Sequence, residues 1–257
     1  MIIVIDALNR HLFKDMLSDM HALRQQVLGP QSGTAETVDT FDQLNPAYVV
    51  HLGPKGQITG SLRLLQTTGP HMLSDSLSEI LAGEAPLRSA RLWEASQVFV
   101  DLNAPEAARI TATLMTSALE YARRAGVLDM VVLLNPQMDQ MLSHFQDRPS
   151  DYLGLSNAGI VAALMDCSPE RIAALRSNAD LPEQSFASSD EALALYGRGR
   201  TRALPRTAQG GNRAALRSWC EEQILAAQTP EDRAAAEALR IELSHLIDGV
   251  HVRRCKA

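Results

Sequence analysis

Lysine is nearly missing from this chain: Lys14, Lys55 and Lys256 are the only three among 24 basic residues. Genome composition alone can produce that bias, so it carries no functional weight. Positive charge is also in deficit overall. A net charge of -6 offers no general basic face for nucleic acid, although arginines cluster locally. Cysteine is scarce and odd in number: Cys167, Cys220 and Cys255 have no CxxC spacing. That argues against a zinc site or a disulfide framework, and a reducing cytoplasm is the expected compartment. Aromatic residues make up only 4%. No run of 18 apolar residues exists, so no membrane-spanning helix is expected. The opening MIIVIDALNRHLF lacks a basic n-region and reads as a strand, not a signal peptide. Against these shortages, 46% hydrophobic residues over 257 positions can fill a sizeable core.

The patterning is mixed. IIVI at 2–5 is β-rich, and Asn9 is placed to cap a helix reaching about Val27, with Leu12, Met16, Met20, Leu23 and Val27 on one stripe. Residues 29–46 read as loop. YVVHLG (48–53) and QITGSLRLLQ (57–66) flank the turn Pro54-Lys55-Gly56, which predicts a hairpin. A short helix is expected at 73–82 and a strand at 91–100. A strong helix is expected from Ala107 to Ala125, ended by Gly126. A buried strand at 128–135, a short helix at 137–145, a strand at 159–167 and a Ser168-capped helix at 169–178 follow. This order predicts a mixed α/β sheet with helices on both faces, the layout of acetyltransferase-like folds. The expected organisation is a domain at 1–196, a basic linker at 197–212 and a C-terminal helical hairpin at 213–257. Among single residues, Met72, Met115 and Met130 read as core. His21, His51 and His71 lack metal-ligand spacing and read as ordinary side chains, and no metal site is expected.

Three segments carry a family likeness: MHALRQQVLG (20–29), VDTFDQLNPAYVV (38–50) running into GQITGSLRLLQTTGPHML (56–73), and LWEASQVFV (92–100). In order and spacing they resemble the acyl-homoserine-lactone (autoinducer) synthases over roughly residues 2–165. RLLQTTGPHML is the most specific piece. The resemblance implies a GNAT-like, splayed sheet and an N-acyltransferase that makes a quorum-sensing signal. It implies an acyl-acyl carrier protein or acyl-CoA as donor and S-adenosylmethionine as acceptor and co-substrate, with no cofactor. Residue by residue it matches Arg24, Asp39, Asp42, Arg63, Glu94 and Ser96 to family positions.

The chemistry suits those residue types. An acceptor amine must lose a proton before it attacks a thioester, and Glu94 on a rigid strand is the candidate base. Its face is expected to be shared with Leu92, Ser96 and Val98, and apolar surroundings would raise its pKa. A backbone N–H at a splay between strands could hold the thioester oxyanion. Asp39 and Asp42 are placed to bind a cation such as the acceptor's sulfonium or ammonium. Arg24 and Arg63 are placed to anchor a carboxylate or to fix those aspartates.

The chain departs from the family pattern at four places. Leu28 and Leu77 stand where aromatics are usual, residues 29–38 contain no tryptophan, and Gln97 replaces an arginine. Those changes remove stacking surface for an adenine or a sulfonium. They leave open a different amine acceptor or, further off, a non-catalytic carrier-binding relative. On the donor side, 130–134 and the helix from 107 are expected to wall an acyl tunnel, with Val132 and Leu133 limiting chain length. Arg123 and Arg124, with Arg198, Arg200, Arg202 and Arg206, are candidate docks for an acidic carrier protein.

Overall fold

The computed structural model describes residues 1–29, 38–145, 149–183 and 186–203, and the single helical positions Ile224, Arg233 and Glu237. The chain divides into two compact units, Met1–Arg200 and Thr201–Ala257. Apart from those three positions, the expected hairpin at 213–257 and most of the expected linker lie outside the described residues.

The first unit holds seven strands: β1 (Ile2–Ile5), β2 (Ala47–Leu52), β3 (Ile58–Gln66), β4 (Leu92–Val100), β5 (Asp129–Leu134), β6 (Asp151–Leu155) and β7 (Val161–Asp166). They form one sheet in the order β1-β2-β3-β4-β5-β7-β6. Every neighbouring pair is antiparallel except β4 and β5, which run parallel. A parallel pair needs a crossover, and α2 (Ala107–Arg124) supplies it. The other helices are α1 (Lys14–Leu28), α3 (Pro136–His144), α4 (Pro169–Asn178) and α5 (Ser189–Ala203). Among the described residues, no helix is long and apolar enough to cross a membrane.

Strand alternation sorts the core onto two faces. Val49, Leu62, Leu64, Ala95 and Val132 pack with Leu114, Met115 and Leu119 of α2. On the opposite face, Tyr48, Val50 and Phe99 pack with Met16 and Met20 of α1 and with Ala192 and Tyr196 of α5. Further along that second face, Leu65, Leu92, Val131 and Leu133 pack beneath Met72, Leu73, Leu77 and Ile80.

Several local expectations change. Asn9 does not cap α1; its side chain accepts from the Asp6 N–H and donates to the Val4 carbonyl, closing the turn after β1. The helix expected at 73–82 is two short 3-10 turns, Met72–Ser74 and Ser78–Leu81. β6 has no counterpart in the expected order. It is an edge strand with half-exposed, unalternating residues, so hydrophobic periodicity does not mark it. α5 is likewise unforeseen and runs to Ala203, into the segment expected as linker.

Two irregularities in β4 matter most. Its register with β3 shifts between Ser61 and Arg63, and Gln97 takes φ 53, a left-handed conformation. This is a β-bulge, two residues opposing one. It moves Val98 to the α2 face and leaves Leu92, Glu94 and Ser96 on the other, correcting the face assigned to Val98. Beside it, pairing of β4 with β5 stops at Ala95 opposite Val132, although β4 continues to Val100 and β5 to Leu134. The sheet therefore splays there.

Candidate functional site

Four charged side chains from three elements meet on the face opposite α2. Arg24 comes from α1, Arg63 from β3, and Asp39 and Asp42 from the 3-10 turn Thr40–Gln43 and its cap. That turn closes on itself: Asp39 accepts from the Asp42 N–H and Asp42 accepts from the Asp39 N–H. Arg24 grips Asp42 with two nitrogens, at 3.0 and 2.5 Å. One Arg63 nitrogen bridges Asp39 at 2.5 Å and Asp42 at 2.8 Å. The Tyr48 hydroxyl donates to Asp42 at 2.6 Å, and the Gln97 amide donates to Asp39 at 3.1 Å. Burial alone would raise the Asp42 pKa. The Arg24 hydrogen bonds and the charges of Arg63 and Arg24 overrule it and hold the carboxyl well below the usual range.

All four side chains are buried, and their charges cancel. Asp42 is thus engaged by both arginines, and Asp39 by Arg63 on one oxygen and by the Gln97 amide on the other. Of the two roles open to Arg24 and Arg63, fixing the aspartates is the one observed. Gln97 keeps a link to Asp39 without a charge. Arg63 retains one capacity: its Nη2 is buried and has no hydrogen-bond partner among the described residues. Tyr48 belongs to this network; it lies within the VDTFDQLNPAYVV segment, where the sequence alone assigns it no role.

Glu94 lies two strand positions from Ser96 on the same face and is fully buried. It pairs across with Leu65 and Val131, both apolar. Its two carboxyl oxygens accept from the backbone N–H groups of Met72 at 3.1 Å and Leu73 at 2.8 Å. Burial raises its pKa. The two N–H donors and the nearby His71 and Arg63 partly offset that rise. Arg63 Nε donates to Ser96 Oγ at 3.3 Å, joining the Glu94 strand to the four-charge network. Glu94, Ser96, Arg63, Asp39, Asp42, Arg24 and Gln97 therefore converge on one side of the splay.

Other expectations separate. Val132 and Leu133 are successive strand residues and point to opposite faces. Val132 packs among the α2 residues, whereas Leu133 packs on the Glu94 face, so they cannot line one tunnel. α2 is on the far face as well. Arg123 and Arg124 occur at its last turn, by a cavity of about 600 Å³ between α2 and α4. α2 begins after the splayed end of β4 and ends at the paired end of β5. A carrier docked at Arg123 would have to reach the length of the helix, roughly 27 Å at 1.5 Å per residue. Arg124 lies over the Phe186 ring at 4.9 Å. Of the other arginines proposed for docking, Arg198 is on α5, with its Nε donating to Ala194 O. The side chains of Arg200 and Arg202, and Arg206 altogether, lie outside the described residues, as do 30–37, where the family tryptophan is absent. Among the described residues, no cluster of three metal-ligating side chains occurs.

The chain is similar to known proteins over this region. Residues 9–175 match the autoinducer synthases as a family. An acyl-homoserine-lactone synthase of Pseudomonas aeruginosa is 34% identical over 96 residues, which cover 34% of this chain and 48% of that protein. The match thus spans about half the length of that relative. The solved structure of MesI, described as a CoA-dependent acyl-homoserine lactone synthase, superposes with a TM-score of 0.61 at 25% identity. It covers 73% of this chain and 100% of MesI. TofI, solved in a ternary complex with an inhibitor and MTA, gives 0.54 at 25% identity, covering 70% of this chain and 97% of TofI. With the family match extending over most of the sheet and taking in the network, Glu94 and the splay, the chain belongs to the autoinducer synthase family.

Proposed function

We propose that this protein is an acyltransferase that moves an acyl chain from a thioester to the amine of S-adenosylmethionine and so yields an acyl-homoserine lactone. The observation that carries this reading is the meeting of Glu94 and Arg63, both fully buried, on one face where β4 parts from β5. Glu94 takes the proton from the acceptor amine, directly or through one water. The nitrogen then attacks the thioester carbonyl: the C–N bond forms, the C–S bond breaks, and the thiol departs. The edge of β4 beyond Ala95 faces the splay, where a backbone N–H can hold the oxyanion. The buried Nη2 of Arg63, unpaired among the described residues, is suited to the acceptor's carboxylate. That carboxylate next attacks the carbon bearing the sulfonium, closing the lactone and releasing methylthioadenosine. The MTA in the TofI complex is that by-product, held by a relative of the same fold.

Two donor types fit the thioester step. No glycine-rich pyrophosphate loop precedes α2, which favours an acyl carrier protein; the CoA dependence stated for MesI favours acyl-CoA. The purified protein is therefore given S-adenosylmethionine with each donor, and lactone and methylthioadenosine are followed by mass spectrometry. Both products are expected from at least one donor. Leu28 and Leu77, aliphatic and packed into apolar clusters, favour a second reading with another amine as acceptor. Thioester turnover with other amines but never with S-adenosylmethionine selects that reading. Carrier binding without any turnover overturns both.

A further inference from the structure

The segment RLLQTTGPHML serves Glu94 only at its end, where the Met72 and Leu73 N–H groups hold the carboxylate. Residues 68–70, just before that grip, do something else. With residues 6–8 and 44–46 they wall a cavity of about 510 Å³. Ala47, Leu64 and Trp93 also line it and belong to the α2 face, so the cavity opens on the α2 side, across the sheet from Glu94. Two loops thus present one end to the acyl-transfer face and the other to this cavity: 39–46, with Asp39 and Asp42, and 68–73.

The lining has a definite chemistry. Trp93 and Tyr121 bring two aromatic rings, 6.1 Å apart and tilted by 53°. Leu8 and Leu44, 85% and 44% exposed, bring apolar surface. Asp6 brings the one charge among the lining side chains. Its carboxylate accepts from two neutral groups, the Leu8 N–H at 2.9 Å and the Tyr121 hydroxyl at 3.0 Å. A carboxylate has about four acceptor positions, so half remain. Asp39, Asp42, Glu120 and Asp166 each sit against an arginine. Asp6 is half-buried and meets no arginine, lysine or histidine among the described residues. Arg10 and Arg88 come near but direct donors to Asn45 Oδ1 and to the Thr68 and Gly69 carbonyls, and neither lines the cavity. A carboxylate drawn part-way out of water without a counter-ion is completed by a cation from outside. Aromatic rings beside it favour the same sign of charge.

We propose that this cavity is a ligand site for a small organic cation with an apolar body, an aryl- or alkylammonium. The ammonium group meets the Asp6 carboxylate, and the body packs on Trp93 and Tyr121. The site is separate from the acyl-transfer face and does not depend on the reading given to it.

The test is isothermal calorimetry on the full chain with three probes of similar size: 2-phenylethylammonium, neutral 2-phenylethanol and anionic phenylacetate. The ammonium is expected to bind roughly 10-fold more tightly than the alcohol, and phenylacetate more weakly than either. Asp6→Asn should abolish the preference for the ammonium. Leu8→Arg places a competing cation beside Asp6 at a position 85% exposed, so the fold is not at stake; it should weaken ammonium binding by roughly 10-fold as well. Equal affinity for the three probes, no saturable heat with the ammonium, or undiminished ammonium affinity in Leu8→Arg overturns the proposal. Ammonium binding that survives Leu8→Arg and disappears in Glu94→Gln assigns the probe to the acyl-transfer face and overturns it too. Calorimetry reads no turnover, so a parent that makes no lactone sinks the acyl-transfer reading and leaves this result standing.

Discussion

Replacing Asp42 by asparagine tests whether the four-charge network holds the site together. Asp42 accepts five hydrogen bonds: two from Arg24, one each from Arg63 Nη1, Tyr48 OH and the Asp39 N–H. Asparagine keeps one oxygen and turns an NH2 group toward two of those donors. It also leaves two buried arginines facing Asp39 alone, a net positive charge at sites 5% and 0% exposed. Breaking a buried pair from one side costs about 3–5 kcal/mol. For a domain of this size that lowers the melting temperature by about 6–20 °C. Urea unfolding followed by circular dichroism gives the free energy. The double variant Arg24→Met/Asp42→Asn removes one charge of each sign and leaves Arg63 with Asp39. It should lose less stability than the two single variants combined, by about 0.5–3 kcal/mol. An Asp42→Asn protein within about 1 kcal/mol of the parent refutes the reasoning, since that is the behaviour of a solvated surface pair.

Three further outcomes are expected. Glu94→Gln should cut turnover by roughly 10²–10⁴. It should also lose about 1–3 kcal/mol of stability, because the new NH2 meets the N–H of Met72 or Leu73; unchanged turnover removes Glu94 as the base. Leu133→Phe should shorten the preferred acyl chain in the lactone profile read by mass spectrometry. Val132→Ala, on the other face, should leave the profile alone while costing about 1–3 kcal/mol in urea unfolding; identical profiles for both remove Leu133 from the tunnel. His21 and His51 have pKa values lowered from 6.5 to about 4, in both cases chiefly by burial, with the Arg24 charge adding for His21 and the N-terminal ammonium for His51. The unfolded chain binds these protons first, so stability falls as pH drops from about 6.5 toward about 4. The slope approaches ~1.4 kcal/mol per pH unit for each histidine. A His51→Gln variant with the parental slope refutes that assignment.

The frame of the molecule was legible where periodicity is strong. IIVI, the hairpin about Pro54-Lys55-Gly56, the long helix ended by Gly126 and the Ser168 cap all form as expected. β6 was not legible, because an edge strand with both sides half-exposed has no apolar alternation to read. The site residues are named by motif, and the pairing of Arg24 and Arg63 with the aspartates is one of the two roles the sequence offers those arginines. Asp39 and Asp42, read as cation binders, are held by Arg24, Arg63 and Gln97 from elements distant in sequence. The bulge at Gln97 was invisible because a non-glycine residue at positive φ leaves no compositional mark, and it is what moves Val98 to the other face. Val132 and Leu133 were a different case. Alternation along a strand already separates neighbours, so that division could have been read from the sequence.

The grip of Glu94 on the Met72 and Leu73 amides has a consequence for how such a protein can diversify. One carboxylate is both a reagent and the rivet of the turn above it, so substitution there disturbs chemistry and local folding together. Adaptation to a new acyl chain or amine is therefore channelled to the outer side of that turn, where Leu77 and Ile80 pack without polar obligations. Libraries that spare position 94 and vary those two should retain folded, active members at a far higher rate than libraries that include it.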